Sequence, residues 1–190
     1  MKASFSYNKQ AVAQKQIVGQ LMHKMARFIP VQIHSALEIG CGSGLLTNLF
    51  LQHFSAKKLI LNDLLPIQEP LREILGSRDF CFREEDAENL ELNEKVDLIF
   101  SSSTFQWFVN QDHFFKRCAG LLNKQGILAF SSFVPGNLSE IKELTGVGLN
   151  YRKKEELIAS LKEHFDILDI SDKTIKMNFD SPRAVLRHLS

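Results

Sequence analysis

The stretch that most constrains the fold is Ala36–Thr47, Ala-Leu-Glu-Ile-Gly-Cys-Gly-Ser-Gly-Leu-Leu-Thr. An apolar run, three glycines at alternate positions and a helix-compatible apolar segment come in that order. Such an order suits a first strand, a tight turn and a first helix of a doubly wound parallel sheet. Gly40, Gly42 and Gly44 open backbone conformations closed to other residues and let a ligand approach the main chain. Glu38 sits inside an otherwise apolar strand, where a carboxylate is costly unless something pairs with it.

Around this unit the chain reads as an α/β alternation. Asn8–Ile29 carries Ile17, Leu21, Met25 and Phe28 at helical spacing, beside Val18, Met22 and Ile29, and Pro30 stops it. Lys58–Asn62, Asp79–Arg83, Val96–Ser101 and Gly126–Val134 read as further strands. Pro66–Leu75, Asp112–Leu122 and Lys153–Phe165 read as helices, with a helical turn at Leu138–Leu144. Asp166–Ile170 and Thr174–Phe179 read as two more strands, an antiparallel pair closing the sheet.

The acidic residues fall where a nucleoside would need them. Asp63 ends the second strand about 20 residues after Gly44, where a carboxylate reaches the hydroxyls of a ribose; its alternative is a loop Asp capping the next helix. Asp86 comes after the third strand and can accept from an adenine amine, while the backbone of Ala87 can donate to a ring nitrogen; the alternative is a solvated acidic loop. Ser102-Ser103-Thr104-Phe105-Gln106-Trp107-Phe108 continues the fourth strand onto the ligand edge. There Gln106 can orient an acceptor, and Trp107 is either a cofactor contact or a buried anchor.

Composition narrows the class. The chain has 190 residues, with 23 Lys and Arg against 22 Asp and Glu, so no basic field points to nucleic acid. No apolar run approaches a membrane span, and Met1–Gln16 has no signal core. Cys41, Cys81 and Cys118 are too widely spaced for a Cys-x-x-Cys pair, and the six histidines lack metal spacing, so no metal is expected and a reducing cytoplasm is the natural compartment. We expect a single domain over 1–190: an N-terminal helix or lid over 1–30, a cofactor-binding core over 34–134, and an acceptor-side segment over 135–190.

The spacing Glu38-x-Gly40-x-Gly42-x-Gly44 resembles the first motif of class I S-adenosylmethionine-dependent methyltransferases. A dinucleotide fingerprint would instead place glycine or alanine where Leu45 stands, which leaves an NAD-linked oxidoreductase a distant alternative. More narrowly, the chain is similar over essentially its whole length to the malonyl-acyl-carrier-protein O-methyltransferases of biotin synthesis. The similarity is carried by residues 5–14, by Phe100–Trp107 (with Ser102 where Asn is usual), by Asn137–Leu149 followed by Tyr151, and by Asp180–Leu189. Family members usually run on several tens of residues past that last segment.

The resemblance implies a Rossmann-like sheet and S-adenosylmethionine as cofactor, held by Glu38, Gly40, Cys41, Gly42, Gly44, Asp63, Leu64, Asp86, Ala87, Ser102 and Trp107. It also implies methyl transfer to the free carboxylate of malonyl-acyl-carrier protein or malonyl-coenzyme A; a monomer is expected, with no nucleic acid or membrane partner. Such an acceptor is already ionised at neutral pH and calls for no general base. Tyr7 and Gln106 are the expected catalytic residues, and Tyr7, Trp107, Arg152, Arg183 and Arg187 the acceptor contacts. Arg183 and Arg187, four apart, suit an acidic carrier surface or form a solvated basic face. The alternatives are a methyltransferase for another small molecule and an inactive, truncated homologue that still binds the cofactor.

Overall fold

The apolar run before the glycines becomes β1 (Gln32–Ile39), the central strand of a five-stranded sheet. The structure, a computed structural model, describes residues 4–146, 148–177 and 181. Before β1 comes α1 (Ser4–Met25); after it come α2 (Leu45–His53), β2 (Ser55–Asp63), α3 (Glu69–Leu75), β3 (Cys81–Glu84) and β4 (Val96–Ser102). A 3-10 turn (Phe105–Trp107) leads to α4 (Gln111–Leu121), β5 (Leu122–Ser131), α5 (Ser139–Thr145) and α6 (Lys154–Lys162). All ladders are parallel, and the order is β3-β2-β1-β4-β5.

Alternation along each strand divides the core in two. Ala36, Leu59, Leu61, Leu98 and Phe100 face α1, α2 and α3. Leu37, Ile39, Ile60, Val96 and Ile99 face the other way, against α4 and α6. The central strands are therefore apolar on both faces, as a parallel sheet covered on both sides requires. In α1 the buried stripe is Val18, Leu21, Met22 and Met25, continued by Ile29 beyond the helix end. Phe28, expected in that stripe, is 37% exposed, with the Arg27 guanidinium 5.2 Å over its ring.

The antiparallel pair expected to close the sheet is absent among the described residues: 166–177 makes no ladder, and 178 and 179 lie outside the description. Side chains hold this segment instead. Ile167 packs into the second core, while Asp169 accepts from Lys24 Nζ on α1 at 2.5 Å and from Arg27 Nη1, just past the end of α1, at 2.7 Å. Drawn to both layers, it leaves Leu168 and Ile170 exposed and does not lie flat along a neighbouring strand. Among the described residues no helix is long and apolar enough to cross a membrane.

Candidate active site

The glycine turn is built by contacts on both of its sides. Gly40 and Cys41 both donate backbone N–H to the carbonyl of Asn62, at 2.8 and 3.0 Å, and so close the turn over the end of β2. Gly40 (φ +68°) has no room for a side chain, since a Cβ there would lie 2.2 Å from Thr104 Oγ1. Gly44 (φ +87°) opens α2, and a Cβ would meet Leu71 and Ile74 at under 3 Å. Gly42 differs: at φ +50°, its Cβ would meet nothing within 4 Å. The turn is packed at both ends and bare in the middle, which is the close approach a ligand needs.

Asp63 stands beside that bare point. Its Oδ2 accepts from Gly42 N at 2.8 Å and its Oδ1 from Leu65 N at 3.0 Å. Each oxygen keeps a further lone pair. Leu64 is 69% exposed on the same rim.

Glu38 lies beneath the turn, 1% exposed, and Thr47 Oγ1 donates to its Oε2 at 2.7 Å. Burial pushes its pKa up to about 8, against the lowering by Thr47; the Asp63 charge adds a further small rise. The partner that a buried carboxyl demands thus comes from the first turn of α2. Cys41 is also buried, and its thiol is pushed up by burial and then by Glu38 and Asp63.

On the far side of β2, buried Asn62 donates Nδ2 to the carbonyls of Arg83 and Glu85, at 3.0 and 2.8 Å, and ties β2 to the exit of β3. Asp86 comes next and caps its own turn: Oδ1 accepts from Glu88 N at 2.9 Å, and Oδ2 from Asn89 Nδ2 at 3.4 Å. Ala87 is buried in the second core.

Past β4, Ser101 Oγ donates to the Ile39 carbonyl at 2.8 Å, joining β4 to the end of β1. Ser102 Oγ lies 3.0 Å from Ser131 Oγ. Ser103 takes a left-handed φ of +58° and donates its N–H to Ser131 O. Gln106 Nε2 donates to Ser103 O at 2.6 Å, and its Oε1 accepts from Ser132 Oγ at 3.4 Å. The ends of β4 and β5 therefore carry a Ser102–Ser131 hydroxyl pair and one carboxamide, that of Gln106, held by the Ser103 carbonyl and the Ser132 hydroxyl.

The buried aromatic of this turn is Phe105, 1% exposed, against Phe108, Phe114 and Phe130. Trp107 is 66% exposed, so its reading as a buried anchor is corrected: Phe105 fills the core and Trp107 faces the open edge. Arg152 is engaged elsewhere. Its Nη1 donates to Asp112 Oδ1 at 2.6 Å, the same oxygen that Ser160 Oγ binds, and so braces α6 against α4. Tyr7 falls in the first turns of α1, where side chains lie outside the description; Arg183 and Arg187 lie outside it entirely.

Sequence reasoning missed Thr47, Asn62, Ser101, Thr104 and Glu88. A buried carboxyl in β1 already calls for a donor from the helix after it, which was the available signal for Thr47. Thr104 gave none, because its contact with Gly40 crosses from one strand end to another.

A methyltransferase-domain model matches residues 37–130. The chain is 40% identical over 189 residues to the malonyl-acyl-carrier-protein O-methyltransferase of Bacteroides thetaiotaomicron, covering 99% of this chain and 72% of that one. Against the protein of the same name from Bacteroides fragilis, identity is 40% over 190 residues, and the chain spans 39% of that longer relative. The fold matches magnesium protoporphyrin IX methyltransferase from Synechocystis, solved with bound S-adenosylhomocysteine: TM-score 0.69, 17% identity, 86% of this chain and 78% of that one.

Proposed function

Because the chain belongs to the class I S-adenosylmethionine-dependent methyltransferases, in the malonyl-acyl-carrier-protein O-methyltransferase family, we propose that it methylates the free carboxylate of a malonyl thioester, the step that starts biotin synthesis. The observation that carries this reading is 40% identity, over 99% of the chain, to a relative bearing that name.

The residues present fit the cofactor. Gly42 leaves a bare approach beside a carboxylate with lone pairs to spare. We assign Asp63 to the ribose hydroxyls, the Gly40–Gly44 main chain and Cys41 to the amino-acid tail, with Glu38 beneath them. Asp86 and Ala87 take the adenine, and Leu64, Ser102 and Trp107 the flanks. Bound, S-adenosylmethionine supplies an electrophilic methyl group, whose transfer breaks a carbon–sulfur bond and forms a carbon–oxygen bond.

The chain's own task is alignment. A malonyl carboxylate is ionised at neutral pH, so no side chain has to take a proton. Gln106, held between Ser103 and Ser132, orients the acceptor, and in the Ser102–Ser131 hydroxyl pair the one that accepts from the other keeps its O–H to donate to an acceptor oxygen. Tyr7 is the second catalytic residue on this reading. Since Arg152 is paired with Asp112, we place the electrostatic anchor on Arg183 and Arg187.

Labelled methyl incorporation tests this reading. Label should enter malonyl-carrier protein or malonyl-coenzyme A and spare the acetyl thioesters, which lack the free carboxylate. A protein that binds S-adenosylhomocysteine yet labels no malonyl thioester would remove the assigned acceptor.

A further inference from the structure

Two loops on the ligand edge are fastened together by one side chain that neither loop's assigned chemistry uses. Glu88 lies just past β3, and its carboxylate accepts two consecutive backbone N–H groups beyond the 3-10 turn: Val109 N to Oε2 at 3.1 Å and Asn110 N to Oε1 at 2.9 Å. Its own N–H donates to Asp86 Oδ1 at 2.9 Å. A second tie lies further along, where Arg117 Nη2 on α4 donates to the Leu90 carbonyl at 2.6 Å. Beside the ties, the side chains of Ala87 and Leu90 are buried in the same core as Phe105, Phe114 and Phe115. Residues 86–90 and 105–117 therefore cannot shift far independently. The half-buried carboxylate of Glu88 is the link nearest the ligand edge.

We propose that Glu88 is a positioning residue that couples the nucleoside end of the site to the acceptor end. When residues 86–87 settle on the base, the Glu88 carboxylate carries that placement to Val109 and Asn110. The turn bearing Gln106 and Trp107 is thereby set. This rests on the reading that Asp86 and Ala87 hold the adenine. A carboxylate gripping two adjacent amides suits such a link, because hydrogen bonds to a charged acceptor are the stronger kind and two of them fix direction as well as distance.

The chain carries its own reporter. Trp107 is the single tryptophan, largely exposed, two residues before Val109. S-adenosylhomocysteine is titrated into the full chain, with affinity read by calorimetry and the turn by Trp107 emission. In the wild type, saturation should change the emission. In Glu88→Ala, binding should persist within about tenfold, the scale of one lost charged hydrogen bond, while the emission change is largely lost. Glu88→Gln keeps one carbonyl acceptor and should restore part of it.

An emission change in Glu88→Ala equal to the wild type's, or none in the saturated wild type, overturns the coupling. Asp86→Ala separates the two ideas. Unaltered affinity there would remove the nucleoside from this loop and the proposal with it, whereas a lost affinity with an intact Glu88→Ala response refutes the coupling alone.

Discussion

Gly42 donates its amide hydrogen to Asp63 Oδ2 at 2.8 Å, so the bare middle of the glycine turn and the acidic end of β2 form one unit. Removing the carboxylate therefore has two effects, on the ligand and on the turn. Asp63→Ala should lower S-adenosylhomocysteine affinity by about 1.5–3 kcal/mol or more. Asp63→Asn, which keeps an acceptor for Gly42, should lose less. Calorimetry that returns wild-type affinity for the alanine variant would take Asp63 out of the site.

The glycines should separate by what surrounds them. Gly40→Ala drives a Cβ into Thr104, so it should lower the melting temperature, and adding Thr104→Ala should recover part of the loss. Gly42→Ala meets no protein atom within 4 Å. Its folding cost is the positive φ alone, about 1–2 kcal/mol, and its main effect should be on cofactor affinity. Equal thermal losses with unchanged affinity at both positions would contradict the bare-approach assignment.

Glu38 gives a pH dependence with a definite sign. Its pKa rises from 4.5 to about 8 on folding, because burial disfavours the charged form. Between those values the unfolded chain has released a proton that the native state keeps, so stability falls as pH rises through this window and levels off above it. Relative to Glu38→Gln, the wild type should lose a few kcal/mol, to order of magnitude, from pH 4.5 to 8. Denaturant midpoints tracking each other in parallel across that range would show that Glu38 ionises normally.

Phe105 and Trp107, two residues apart, should behave as opposites. Phe105→Ala opens a cavity in the aromatic cluster and should cost about 3–5 kcal/mol. Trp107→Ala should stay within about 0.5 kcal/mol of wild type, and native Trp107 emission should sit near that of a solvated indole. A strongly destabilising Trp107→Ala would reverse the two assignments.

The sheet's strands and their order of appearance were legible because each is an apolar run bounded by turn residues, and the glycine turn because its spacing has few other uses. The Asp63 position came from the same logic: one strand, one exit, one carboxylate. Legibility failed where contacts join strand ends that are distant in the chain. Thr104 against Gly40, and Glu88 against Val109 and Asn110, leave no local pattern. Trp107 misled as a candidate anchor because size alone favours burial, whereas the turn's register gave the core to Phe105. The expected terminal strand pair failed for a different reason. Three apolar residues in 166–170, Ile167, Leu168 and Ile170, suggest a strand, yet Asp169 is held by two cations, Lys24 on α1 and Arg27 just past its end.

The strand order also splits responsibilities down the middle of the molecule. Everything assigned to the cofactor, apart from the flanking Ser102 and Trp107, leaves β1, β2 and β3, while everything assigned to the acceptor, apart from the N-terminal helix, leaves β4, β5 and the chain beyond β5. One half can then be kept for a shared reagent while the other is rebuilt for new chemistry.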